Sequence, residues 1–172
     1  RLVAGDARAE QGRGLVESYD KQRLVPFSEY DPVLGGALAA LIGPVVEGDP
    51  YLPGREATVF RTPAIPFATP VCFEITYPDL VRRFRAAGAQ LLVNLSNDAW
   101  FGPIGYPEMH FDHAIYRAVE MRMPVVRGAN TGISGVIGAA GRVTAAIPAF
   151  EEGTLRAEVA AAGGHTLLLD GG

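Results

Sequence analysis

The sequence predicts an α/β fold: one domain over residues 1–172 in which helices pack on a layered sheet. Three observations carry the prediction. Apolar runs of strand length alternate with stretches of helical spacing between residues 71 and 127. The runs at 134–138 and 143–147 are joined by Ala139-Ala140-Gly141-Arg142, a turn of hairpin type. Finally, 48% of the residues are hydrophobic and 20% charged, enough apolar surface for a folded core in a chain of 172.

In chain order, Leu2-Val3-Ala4-Gly5 reads as the tail of a strand, and residues 15–19 as a short second one. From 26 to 70 the chain is rich in proline, with eight between Pro26 and Pro70, and loops of that length tend to be functional. Val71-Cys72-Phe73-Glu74-Ile75 is expected to end a strand. Pro78-Asp79 opens a helix with Leu80, Val81 and Phe84 on one face, and Gly88 closes it. The cluster Arg82-Arg83-Phe84-Arg85 falls on that helix, and its arginines are read as a solvated face. Gln90-Leu91-Leu92-Val93-Asn94 is apolar enough for a strand buried on both faces. After the polar loop 96–102, a helix over about 107–122 places Phe111, Ala114, Ile115 and Ala118 at helical spacing. Val125-Val126-Arg127 is the strand before the hairpin.

Several function classes are disfavoured at once. A net charge of −4 leaves no basic surplus to neutralise phosphates, so no nucleic-acid partner is expected. No uncharged apolar run reaches the ~18 residues of a membrane span. The nearest stretch, 32–46, is broken by Gly35-Gly36 and Gly43-Pro44. It is read either as a lid lying in a membrane interface or as a core helix. His110 and His113 share a helical turn, but a third ligand is lacking nearby, so both are read as ordinary polar helix positions and no metal is expected. Arg117 and Glu120, at i and i+3, are expected to pair.

The single cysteine, Cys72, excludes an intramolecular disulfide. A lone cysteine is more often a buried apolar residue than a nucleophile. Its position, at a strand end shortly before a helix, is nevertheless where a nucleophile meets backbone N–H groups able to hold an oxyanion. Glu74 two residues on reads as a surface or helix-capping carboxylate, or as part of the site. Thiolates form reactive thioesters, so cysteine suits acyl transfer once a base and a cation stand near it. Lys21 and Glu29 are candidates for one pocket, with a solvated pair as the alternative. Asn97, Asp98 and Trp100 follow a strand at its C-terminal end, where α/β sites lie. They shape the pocket, or else form a turn held by Asn and Asp side chains.

Four blocks carry a family resemblance. KQRLVPFSEY at 21–30 resembles the K-x-x-LVPFGEY segment of the apolipoprotein N-acyltransferases, and VCFEITY at 71–77 resembles the segment around their cysteine. NLSNDAWFG at 94–102 is similar to their N-x-S-NDxWFG loop, and HAIYRAVEMRMPVVRGANTGIS at 113–134 to the helix and strand that follow. The resemblance implies a nitrilase-like αββα sandwich with the N-terminal part of the domain missing, and a Glu-Lys-Cys catalytic set. It implies Cys72 as nucleophile, Lys21 as the oxyanion-stabilising lysine, and Glu29 as the additional site glutamate. Phe73 and Glu74, with Asn97, Asp98 and Trp100, are implied at the oxyanion and pocket. The implied reaction passes an acyl chain from a phospholipid through a Cys thioester to the N-terminal amine of a diacylglyceryl-cysteine lipoprotein. It needs no cofactor and runs at a bacterial inner membrane, on the periplasmic side.

The departures shape the expectation. The family's general-base glutamate would lie upstream of Arg1, and its transmembrane helices are absent, so these 172 residues alone are expected to be inactive. Ser28 stands where Gly is usual and Phe73 where Tyr is common. The competing readings are a nitrilase-superfamily amidase hydrolysing a C–N bond, a non-catalytic remnant of the fold, and a domain fused to another enzyme.

Overall fold

The structure, a computed structural model, describes residues 2–5, 16–26, 29–30, 51–99, 105–164 and 166–170. β1 (Leu2–Gly5) and β2 (Val16–Tyr19) pair antiparallel, Leu2 opposite Tyr19. The remaining strands form one mixed sheet. β3 (Phe67–Ala68), β4 (Leu91–Ser96) and β5 (Val125–Ala129) run parallel; β6 (Ser134–Ile137) and β7 (Val143–Ile147) continue antiparallel in the order β3-β4-β5-β6-β7. The parallel strands are joined through α1 (Pro78–Ala86) and α2 (Tyr106–Met121), and a short α3 (Leu167–Asp170) follows β7.

Local chemistry explains the punctuation. Pro78 opens α1 where its missing N–H costs nothing, and Gly88 follows the helix at φ +100°, a conformation that L side chains avoid. Leu80, Val81 and Phe84 are fully buried, as their spacing predicts. The arginines of α1 are not simply solvated: Arg83 donates to the Gln22 side chain and to the Arg55 carbonyl. The β6–β7 turn closes with Gly138 N–H donating to the Arg142 carbonyl (2.8 Å), and Gly141 takes φ +80°.

Two sequence expectations are corrected. β4 is not buried on both faces: Leu92 and Asn94 are fully buried, whereas Leu91 and Val93 are half-buried and Leu95 is 42% exposed. Among the described residues, α1 and α2 pack with each other and share one core with Leu92, Val125 and Ile137, so one face alternates inward. Residues 71–75 do not continue a strand. Val71 makes one parallel bridge to Leu95, and Cys72–Thr76 then winds into a 3₁₀ helix. The Glu74 side chain takes the Val71 N–H at 2.7 Å, withdrawing that donor from any further strand ladder.

The core gathers Tyr19, Ile75, Leu80, Phe84, Leu92 and Met121. Tyr19 meets Phe84 edge to face at 5.4 Å, which brings β2 onto α1. Among the described residues no helix is long and apolar enough to cross a membrane. The stretch 32–46, Phe27, Ser28, Trp100 and His165 lie outside the described residues.

Candidate active site

Cys72 is the first residue of the 3₁₀ helix and holds φ +52°, the left-handed region that non-glycine residues rarely enter. Its thiol is half-exposed and free. Cys72 and Phe73 open the helix, where the first N–H groups have no partner within the helix itself.

Glu74 joins this turn to the segment carrying Lys21. Its carboxylate is fully buried and accepts from the N–H groups of Gln22 (2.6 Å), Arg23 (3.0 Å) and Val71 (2.7 Å). The Tyr19 hydroxyl stands 2.9 Å from both oxygens. Burial pushes the Glu74 carboxyl above its usual range, and the three N–H donors and the phenol pull it back. Burial and then the Glu74 charge push the Tyr19 phenol up strongly, which keeps it a donor. Glu74 is therefore neither a surface residue nor open to a substrate; its capping role toward Val71 is real. In the adjoining segment the Lys21 ammonium donates to both Glu29 oxygens at 2.7 and 2.8 Å, and the Val25 N–H donates to Glu29 at 2.8 Å. Their side chains are 13% and 25% exposed, so the pair is sheltered rather than solvated.

Beneath the cysteine lies a buried polar network. Arg127, on the inward face of β5, donates to Asp98 Oδ2 at 2.6 Å and to the Asn94 side chain. Asp98 also accepts from Ser96 Oγ, and its Oδ1 is 3.1 Å from His110 Nδ1. His110 Nε2 and Asn94 Nδ2 lie 3.2 and 3.3 Å from the Cys72 carbonyl oxygen. Burial opposes ionisation of Asp98, but the bonds from His110 and Ser96 and the Arg127 charge outweigh it and hold the carboxyl near about 2. His110 is 1% exposed, which corrects its reading as an ordinary polar helix position. Arg117 pairs with Glu120 as its spacing predicts, and also donates to the Thr76 carbonyl at 3.1 Å, closing the other end of the cysteine helix.

The Asn97 side chain holds a turn, whereas the Asp98 carboxylate is taken up by the buried network. The Asn97 side-chain oxygen Oδ1 accepts from the Ala99 N–H and from the Asn130 side-chain amide. Sequence reasoning missed His110, Arg127 and Asn94, and also Tyr106. The Tyr106 ring sits 5.3 Å from that of His110. Burial, then the charges of Cys72 and Asp98, raise its phenol. A signal for Arg127 was present: Val125 and Arg127 share one face of a strand, and a charge at a core position requires partners. A cavity of about 360 Å³ adjoins the Lys21 segment, lined by Arg23, Leu24, Tyr30, Tyr51 and Tyr77 among others; Cys72 is not in its wall. Among the described residues no group of His, Cys, Asp and Glu is placed to hold a metal.

The chain is 40% identical over 141 residues to an apolipoprotein N-acyltransferase of Geobacter metallireducens, covering 81% of this chain and 27% of that protein. It is 34% identical over 167 residues to one of Pseudomonas paraeruginosa, covering 92% and 32% respectively. The chain thus spans about a quarter to a third of the length of these relatives. Among solved structures, a mutant of the Nesterenkonia AN1 amidase, from the nitrilase superfamily, superposes with a TM-score of 0.57 at 22% identity. That match covers 84% of this chain and 50% of the amidase and shows the shared α/β fold. The carbon-nitrogen hydrolase family model matches residues 9–165, and the chain belongs to that family.

Proposed function

We propose that Cys72 carries an acyl chain as a thioester, taken from a phospholipid and delivered to the N-terminal amine of a diacylglyceryl-cysteine lipoprotein. The observation that carries this reading is the Glu74 junction. It ties the strained Cys72 turn to the segment bearing the sheltered Lys21–Glu29 pair, within a chain whose relatives are named apolipoprotein N-acyltransferases.

In the first step the Cys72 sulfur attacks the ester carbonyl of the donor. The C–O bond breaks, and a lysophospholipid leaves with the proton lost by the thiol. Lys21 and the Phe73 N–H stabilise the oxyanion between them, and Glu29 holds the ammonium in place. A general base takes the thiol proton and returns it to the leaving oxygen. In the second step the lipoprotein amine attacks the thioester, the C–S bond breaks, and the thiol returns. Asp98 and Glu74 serve from beneath, since both carboxylates are consumed by protein donors. The acceptor and donor are lipids, so the site works at a membrane; the periplasmic side of a bacterial inner membrane is what the family resemblance implies.

The test is the intact mass of the full-length protein after incubation with phosphatidylethanolamine in detergent. One added acyl chain, released by hydroxylamine and absent in Cys72→Ala, is the expected result. A folded protein that gains no acyl chain, yet releases ammonia from small amides, would transfer the assignment to an amidase. No reaction with either would leave a non-catalytic member of the family.

A further inference from the structure

We infer that His110 is a positioning residue for Cys72, holding the nucleophile's strained backbone from the α2 side; this rests on Cys72 being the acyl carrier. A residue with φ +52° relaxes unless its neighbours fix it, and the carbonyl of Cys72 is where they do so. Two donors converge on that oxygen: Asn94 Nδ2 at 3.3 Å, which also holds the Pro70 carbonyl at 2.8 Å, and His110 Nε2 at 3.2 Å.

The surroundings determine what the imidazole does. A carbonyl oxygen only accepts, so Nε2 carries a proton. Nδ1 lies 3.1 Å from Arg127 Nη2, a donor, and 3.1 Å from Asp98 Oδ1, an acceptor. Either contact leaves Nε2–H aimed at Cys72. Arg127 and Asp98 in turn hold each other at 2.6 Å, both side chains wholly buried, so the ring has no room to turn away. The contacts of His110 run to Asp98, Arg127, the Tyr106 ring and the Cys72 carbonyl, and it acts through that carbonyl. Its role is to keep the peptide plane after the nucleophile oriented, and with it the Phe73 N–H that shares that plane. A small error there is costly, since a displacement of about 1 Å at reacting groups can lower rates about 100-fold.

The experiment compares wild type, His110→Leu and His110→Gln in the full-length protein. Gln keeps a donor where Nε2 stands, and Leu keeps volume without one. Two substrates are used: phosphatidylethanolamine, read as the Cys72 thioester, and p-nitrophenyl acetate, read as the burst of nitrophenol when Cys72 is acylated. The small ester needs the nucleophile and oxyanion site but no lipid recognition. Expected is a fall of about 10- to 100-fold in the acylation rate for the Leu variant, with KM within about twofold, and recovery to within about fivefold of wild type for Gln. A crystal structure of the Leu variant should show Cys72 out of the left-handed region. A folded Leu variant with a wild-type burst, or a Gln variant as slow as Leu, would overturn the inference. Failure of phospholipid alone, with the burst and its dependence on His110 intact, would instead refute the lipid substrate and leave the positioning role standing.

Discussion

Replacing Glu74 by Gln tests whether one carboxylate couples the lysine segment to the cysteine turn. In the native arrangement Oε1 accepts from the Gln22 and Arg23 N–H groups and Oε2 from the Val71 N–H, with the Tyr19 hydroxyl against both. An amide keeps one oxygen. Its better orientation leaves that oxygen on Gln22 and Arg23 and points the NH₂ group at the Val71 N–H, donor against donor. The Tyr19 hydroxyl can turn to accept, so it is not lost. One buried N–H is orphaned, at about 1–3 kcal/mol, and two charge-assisted bonds become neutral ones, at about 1 kcal/mol more. Against this, the variant no longer buries a charge that burial already disfavours. A net cost of about 2 kcal/mol follows, which corresponds to about 30-fold more frequent local opening. Hydrogen–deuterium exchange of the full-length protein, read on peptides covering 20–25 and 71–76, measures it directly. Both segments should accelerate together, with Tyr19→Phe giving the same pattern at a smaller size. Exchange within twofold of wild type, or acceleration of one segment only, would refute the coupling.

Other consequences are equally direct. Asp98 has its carboxyl held down to about 2 from a usual 3.8, so its contribution is present above about pH 4 and lost as pH falls through about 2. Denaturant titrations across that window should show about 2 kcal/mol of acid-labile stability, most of it absent in Asp98→Asn. A Cβ on Gly132 would stand 1.9 Å from Asp98 Oδ2, so Gly132→Ala should displace the carboxylate from Arg127 and cost about 3 kcal/mol in the same titration. Because Cys72 holds φ +52°, Cys72→Gly should be more stable than Cys72→Ala by about 1 kcal/mol. Equal stability of the two would show that the turn carries no backbone strain.

The parts of the fold legible in the sequence are those where local chemistry and tertiary packing agree. Pro78 and Gly88 bound α1 on conformational grounds alone, and the spacing of Phe111, Ala114 and Ala118 buries the face of α2 it predicts. Motifs rather than periodicity singled out Cys72, Lys21 and Glu29 as candidates, and the last two form the sheltered pair expected of one pocket. Glu74 was legible as a capping residue but not as a junction, because its donors at Gln22 and Arg23 lie 52 and 51 residues away. His110 failed for a similar reason. On a helix diagram a histidine beside Glu108 and Asp112 looks solvated, and only the inward Arg127 and Asn94, from two different strands, reveal the polar pocket that receives it. The end of the strand at Val71 failed because a side chain three residues ahead takes the donor that a ladder would use.

The tethers around the cysteine share a feature that bears on how the site is kept. Glu74 holds the N–H of Val71; Asn94 holds the carbonyls of Pro70 and Cys72; His110 holds the Cys72 carbonyl again; and Arg117 holds the carbonyl of Thr76. Every one of these bonds ends on the backbone of the turn. His110 and Arg117 are seven residues apart on α2, two helical turns along one face, so a single rigid element clamps both ends of the five-residue 3₁₀ helix. The backbone of the turn is thereby held without calling on the Cys72 and Phe73 side chains. Phe73 rests edge-on against Tyr77 at 5.4 Å without any hydrogen-bonding obligation, and the Cys72 thiol stays half-exposed. An apolar underlayer of equal volume would stabilise the sheet at less desolvation cost, but it could not grip carbonyl groups. The buried charges are thus best explained by the strained backbone they restrain, and loss of any one tether should be felt first in acylation rate and only then in stability.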